Sequence, residues 1–275
     1  MKIISAPVFK SSVLALSLSM LSLLCSALSA NTQLQDITSA KHRSSDNIKR
    51  NVARHPIKTL QFFEVEPSMH VVEIWPGGGW YTEILAPYLK EHGQLYAAHF
   101  NPKSHVKFFV RSRENFENKL TQTPSAYENV IITTLDAPQK SSISNNTPVD
   151  RVLTFRNVHN WMKGGNAKET FNAFFNALKP GGILGVVEHR APNTFSIEEM
   201  IKSGYVSEEH VKKLAAEAGF VFVEASEVNA NPKDTKTHPK GVWTLPPSLR
   251  LGEKDKETYL AIGESDRMTL KFRKP

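Results

Sequence analysis

The stretch "VVEIWPGGGWYTEIL", residues 71–85, sets an apolar run closed by an acid against three consecutive glycines and then a helical spacing of apolar residues. A short, nearly continuous apolar run suits a strand covered on both faces of a parallel sheet. Glycines at its end permit positive φ and let backbone N–H groups approach a ligand closely, because no Cβ intervenes. The turn is therefore a place to hold something small. In dinucleotide sites the spacing is G-x-G-x-x-G, with an acid about 20 residues later for the ribose. Gly77 and Gly79 fit the first two positions, but Thr82 stands at the third and the next strand ends in "AAHFNP" without an acid. A nicotinamide or flavin enzyme is disfavoured.

Outward from the turn, strand and helix patterns alternate. Residues 48–65, "IKRNVARHPIKTLQFFEV", predict one helix ahead of the first strand, ended by Pro67. "GQLYAAHF" (93–100), "NVIITTLDAP" (129–138), "VDRVLTFRNVHNW" (149–161, a strand with a loop), "ILGVVEHRAP" (183–192) and "VFVEAS" (221–226) read as strands. Between them "SHVKFFVRSRENFENKL", "AKETFNAFFNALKPGG" and "SEEHVKKLAAEAGF" read as helices, the last opened by Ser207 and closed at Gly219. "RMTLKFRKP" supplies a final, antiparallel strand. The expectation is an α/β three-layer sandwich around a mostly parallel sheet. The polar stretch 231–257 reads as an insertion before the last strand.

Residues 1–30 stand apart: Lys2 and Lys10 are their only charges, an apolar run Val13–Leu24 follows, and "CSALSA" offers small residues for cleavage. They read as a signal peptide, which makes the protein exported, most simply to a periplasm. The run is shorter than the roughly 20 apolar residues of a membrane span, so no span is expected after cleavage. Residues 31–47 read as a polar, solvated leader and 48–275 as the folded domain. Cleavage removes Cys25, the only cysteine, which excludes disulfides, thiolate catalysis and Cys-ligated zinc from the mature chain. Removing Lys2 and Lys10 from a formal charge of +7 leaves +5, dispersed among acids. The one local cluster, "KHRSSDNIKR", lacks interleaved aromatics, so nucleic acid is not an expected partner.

The order of features resembles class I S-adenosylmethionine-dependent methyltransferases, from about residue 50 to the C-terminus, and within them bacterial methyltransferases with signal peptides. The resemblance implies a Rossmann-like methyltransferase fold and S-adenosylmethionine as cofactor. It places the first-strand acid at Glu73 and the turn around the cofactor's amino-acid end at Pro76, Gly77, Gly78 and Gly79, followed by Tyr81 and Thr82. Trp75 stands where the family has its first glycine. The ribose-holding acid of the second strand falls at His99, with Asn101 as a substitute. Asp136 and Ala137 match the residues beside the adenine, and Asn157 follows the fourth strand.

Ligands of an open α/β sheet bind beyond the carboxyl ends of its strands, where His99, His159 and His189 are expected. A histidine can remove a proton from an O or N nucleophile near neutral pH. His159 is the first candidate base, His189 the second, with Arg156 orienting a polar or anionic small-molecule acceptor. Zinc on the three histidines, with Glu188, is disfavoured by their spacing; no metal is expected. The alternative from another class is a non-catalytic exported binding protein that uses the same cleft for a nucleoside or small metabolite.

Overall fold

The computed structural model describes residues 31–275; the signal-peptide reading of residues 1–30 lies outside the described residues. Five parallel strands carry the centre: β1 (His70–Ile74), β2 (Gln94–His99), β3 (Ile131–Thr134), β4 (Val149–Phe155) and β5 (Leu178–His189). β6 (Val221–Ser226) and β8 (Arg267–Arg273) complete a seven-stranded sheet in the order β3-β2-β1-β4-β5-β8-β6, with β8 antiparallel to both neighbours. A short β7 (Pro239–Val242) lies within the 231–257 segment. The order reverses between β1 and β4, the switch point at which such sheets open a crevice.

Strand alternation assigns each face its core. Val72 and Ile74 of β1 pack with Trp161, Phe171 and Phe174, whereas Val71 packs on the other face with Leu60, Phe63 and Ile84. Glu73 shares the face of Val71 and so meets the helix Thr82–Leu89. Gly185 of β5 is required by close packing: a Cβ there would stand 2.7 Å from the Phe63 ring.

Three expectations need revision. The single helix over 48–65 is three short ones, Ser45–Lys49, Asn51–Arg54 and Pro56–Phe62; the second break falls where His55 turns left-handed at φ 39° and Pro56 starts a new helix at a position where its missing N–H costs nothing. The loop after β4 is the helix Val158–Gly164, with Val158, Trp161 and Met162 buried at i, i+3 and i+4. The leader 31–47 is packed rather than solvated: Leu34 is 2% exposed, and buried Arg43 donates to Glu83 at 3.2 Å and to the Thr38 carbonyl at 2.6 Å. Among the described residues no helix is long and apolar enough to cross a membrane.

Candidate active site

At the carboxyl ends of β1, β4 and β5 lies a cavity of about 860 Å³. β1 delivers Glu73 to it, and the glycine turn forms one wall. The Glu73 carboxyl is buried and accepts the Thr82 hydroxyl at 2.6 Å; burial raises its pKa to about 7. The Gly77 carbonyl accepts from His99 Nε2 at 3.2 Å and the Gly78 carbonyl from Lys119 at 2.9 Å. The N–H groups of Gly77 and Gly78 have no protein acceptor among the described residues. A Cβ placed on either glycine meets no atom within 4 Å, and both residues border the cavity. Gly79, at φ 78°, faces the Phe116 ring instead.

His99 is wholly buried. Its Nδ1 accepts from the Phe100 N–H at 2.7 Å, so the proton sits on Nε2 and is given to Gly77. Burial lowers its pKa to about 4, keeping the ring neutral. It supports the turn from beneath. Asn101 donates to Asp136 at 2.8 Å, and the Ala137 carbonyl accepts from Asn166. None of these four borders the cavity.

Trp75 explains why. Its backbone takes φ 44°, the left-handed region in which a glycine is at ease, and its indole donates to the Leu135 carbonyl at 3.1 Å. The ring packs against Phe100 at 4.6 Å and Trp161 at 5.5 Å, between the tips of β2, β3 and the helix Val158–Gly164. The side chain thereby separates Asp136 and Ala137 from the cavity. In their place the cavity has an aromatic wall of Trp75, Phe100 and the exposed Phe108.

Across from the turn, β4 and β5 bring Arg156, Asn157, His159 and His189 together. Asn157 donates to the Ile74 carbonyl at 3.0 Å and ties the tips of β1 and β4. Tyr81 stacks on Phe155 at 3.6 Å. His159 Nδ1 lies 3.2 Å from Glu188 Oε1; a carboxylate accepts, so Nδ1 carries the proton and Nε2, with no partner among the described residues, is the basic nitrogen. Glu188 also accepts the Val158 N–H at 2.6 Å and the His189 N–H at 2.8 Å. His189 is hydrogen-bonded through Nδ1 to Ser265, and burial together with His159, Arg156 and Arg267 holds its pKa well below the ordinary value.

Sequence reasoning passed over the orienting role of Glu188, although it closes a buried strand as Glu73 does. It also passed over Glu264 and Ser265, which an antiparallel β8 must begin beside the parallel strands' carboxyl ends. His159, Glu188 and His189 bring one donor atom each within 4.8 Å of one another. The Glu188 carboxylate already accepts from three N–H groups and Arg156 and Arg267 lie nearby, whereas His99 lies beneath the turn.

No protein-family model matches the chain, and no curated protein matches it either. Solved structures do. The [4+2]-cyclase SpnF superposes with a TM-score of 0.56 at 15% identity, covering 86% of this chain and 85% of that one. A SAM-dependent methyltransferase from Aquifex aeolicus gives 0.51 at 17% identity, covering 72% and 93%. The chain has the class I methyltransferase fold: a mostly parallel seven-stranded sheet, one antiparallel strand near its edge, and a glycine turn after the first strand.

Proposed function

We propose that the protein is an S-adenosylmethionine-dependent methyltransferase acting on a small-molecule acceptor, exported as residues 1–30 suggest. The observation that carries this reading is one cavity with a buried acid and two unpaired glycine N–H groups on one side and a carboxylate-oriented histidine on the other. The donor set suits the cofactor. The buried Glu73 carboxyl, raised to about 7, has no ion pair among the described residues and suits the cofactor's ammonium, and the two N–H groups suit its carboxylate. The Trp75, Phe100 and Phe108 wall suits a planar base. The bound cofactor would supply an electrophilic methyl group.

The chain's own residues do the rest. His159 takes a proton at Nε2 from an acceptor O–H or N–H, and Glu188 fixes the ring in the tautomer that allows it. Residues Val242, Trp243 and Pro246 of the 231–257 segment line the cavity and add apolar surface to it.

Trp75 favours a second reading, a binding protein for another small metabolite, because it screens off the residues expected beside the base. Calorimetric titration with S-adenosylmethionine and S-adenosylhomocysteine separates the two. Micromolar binding weakened at least tenfold in Glu73→Ala supports the methyltransferase; absence of binding to either ligand leaves the binding protein.

A further inference from the structure

Three guanidinium groups, Arg50, Arg54 and Arg156, line the cavity, and a fourth, Arg267, lies beside them. Glu264 accepts from Arg50 Nε at 2.6 Å and Arg54 Nε at 3.2 Å, and pairs with Arg267 at 3.3 Å. One carboxylate thus serves three of them. Arg156 has no ion pair and no side-chain hydrogen bond among the described residues, yet it borders the cavity. Its place is fixed by the backbone, which donates to the Val187 carbonyl at 2.7 Å and takes φ 65°. Burial and the neighbouring Arg267 lower its pKa to about 10, so it is still a cation at neutral pH. One Nη2 of Arg50 is also buried without a partner. The cavity lining adds Lys163, Lys202 and Arg250, against two acids among the described residues, Glu73 and Glu264. A partly buried cation without a protein partner is matched most simply by an anionic ligand.

We infer that this arginine-lined part of the cavity is an oxyanion site, and that the methyl acceptor carries a carboxylate or phosphate held by Arg156 while its O–H or N–H faces His159. The inference rests on the methyltransferase reading for the word acceptor. The cofactor's own carboxylate is met elsewhere: the unpaired glycine N–H groups follow β1, whereas the charged neighbours of Arg156 come from β5, the start of β8 and the N-terminal helices. A guanidinium can grip either anion with two parallel hydrogen bonds, which an ammonium cannot.

The test is calorimetric titration of the purified protein at low ionic strength with inorganic phosphate and with acetate, with and without saturating S-adenosylhomocysteine. Saturable binding of either anion is expected, with the tighter one naming the acceptor's group. Affinity should fall roughly tenfold or more in Arg156→Gln, the loss of one charge-assisted contact. Arg156→Lys, which keeps the charge but not the two parallel donors, is the second variant should Arg156→Gln fail to fold, and it should still bind more weakly than wild type. The inference is overturned if the wild type binds neither anion saturably, if both variants bind as well as wild type, or if S-adenosylhomocysteine displaces the anion. Anion binding without S-adenosylhomocysteine binding would keep the site and sink the methyltransferase reading. The converse would sink the oxyanion site alone.

Discussion

Glu188 and His159 are 29 residues apart and joined at 3.2 Å, with the carboxyl pinned by the N–H groups of Val158 and His189 so that the imidazole has one orientation. The pair predicts a single tautomer. Nitrogen-detected NMR of the wild type should show His159 Nδ1 protonated and Nε2 bare. Glu188→Gln, whose amide can also donate, should give a mixture of tautomers. A single unchanged tautomer in that variant would deny Glu188 its orienting role.

The glycine turn separates fold from binding. Gly78→Ala introduces a methyl that meets no atom, so thermal stability should stay within about 0.5 kcal/mol of wild type. Its affinity for S-adenosylmethionine should nevertheless drop, since the methyl occupies space beside the unpaired N–H groups. Gly79→Ala has a φ of 78° and the Phe116 ring 3.1 Å from the new methyl. It should lose about 1–2 kcal/mol in urea denaturation.

Glu73 and His99 bias stability in opposite directions with pH. The Glu73 carboxyl sits at about 7 against an ordinary 4.5, so the native state holds the extra proton between those values. Its contribution is present below pH 4.5 and lost as pH rises through 7. Glu73→Gln should therefore gain stability relative to wild type as pH rises from 4.5 to 7, on the order of 3 kcal/mol. His99 sits at about 4 against 6.5, so its contribution is full above pH 6.5 and lost as pH falls through 4. His99→Gln should gain relative to wild type on acidification across that window. Melting temperatures of both variants across pH 4–7.5 check the two signs.

Among the described residues Glu264 is the one carboxylate paired with Arg50, Arg54 and Arg267. Despite burial, the guanidiniums hold its pKa down at about 2. Its removal in Glu264→Gln leaves Arg50, Arg54 and Arg267 without their shared carboxylate beside Arg156, and stability at pH 7 should fall by about 3–5 kcal/mol. The deficit should shrink as pH falls from 4.5 toward 2, where the wild-type carboxyl protonates as well. A constant deficit across that range in chemical denaturation would mean the loss is one of packing rather than charge.

Much of the architecture was legible because strand and helix periodicity are local. The runs around Val71, Leu95, Val152 and Leu184 identify buried strands by composition alone, and Ser207 caps its helix as read, accepting from the His210 N–H at 3.2 Å. The break at His55 and Pro56 was legible in principle, since a proline inside a periodic stretch is a signal that apolar spacing conceals.

The candidate site divides differently. Glu73 and the glycines could be found because covalent connectivity places them together: an acid four residues before a turn must stand at its base. His159, Arg156 and His189 also lie on the cavity, since strand ends converge by topology. What a residue faces once it is there is not local. His99 turned inward to hold the Gly77 carbonyl, and Trp75 occupied the gap between the tips of β2 and β3, because packing across three strands decided their rotamers. The leader's Arg43 found Glu83 40 residues away, and Arg54 found Glu264 across 210. From residues 31–275 the sequence alone determined the α/β order, the turn and the acid beneath it, because those depend on period and adjacency. Only the tertiary structure decided the aromatic wall, the Glu188–His159 pair and the uncompensated arginine, because a buried charge's partner is chosen by the folded chain's geometry and not by its neighbours in sequence.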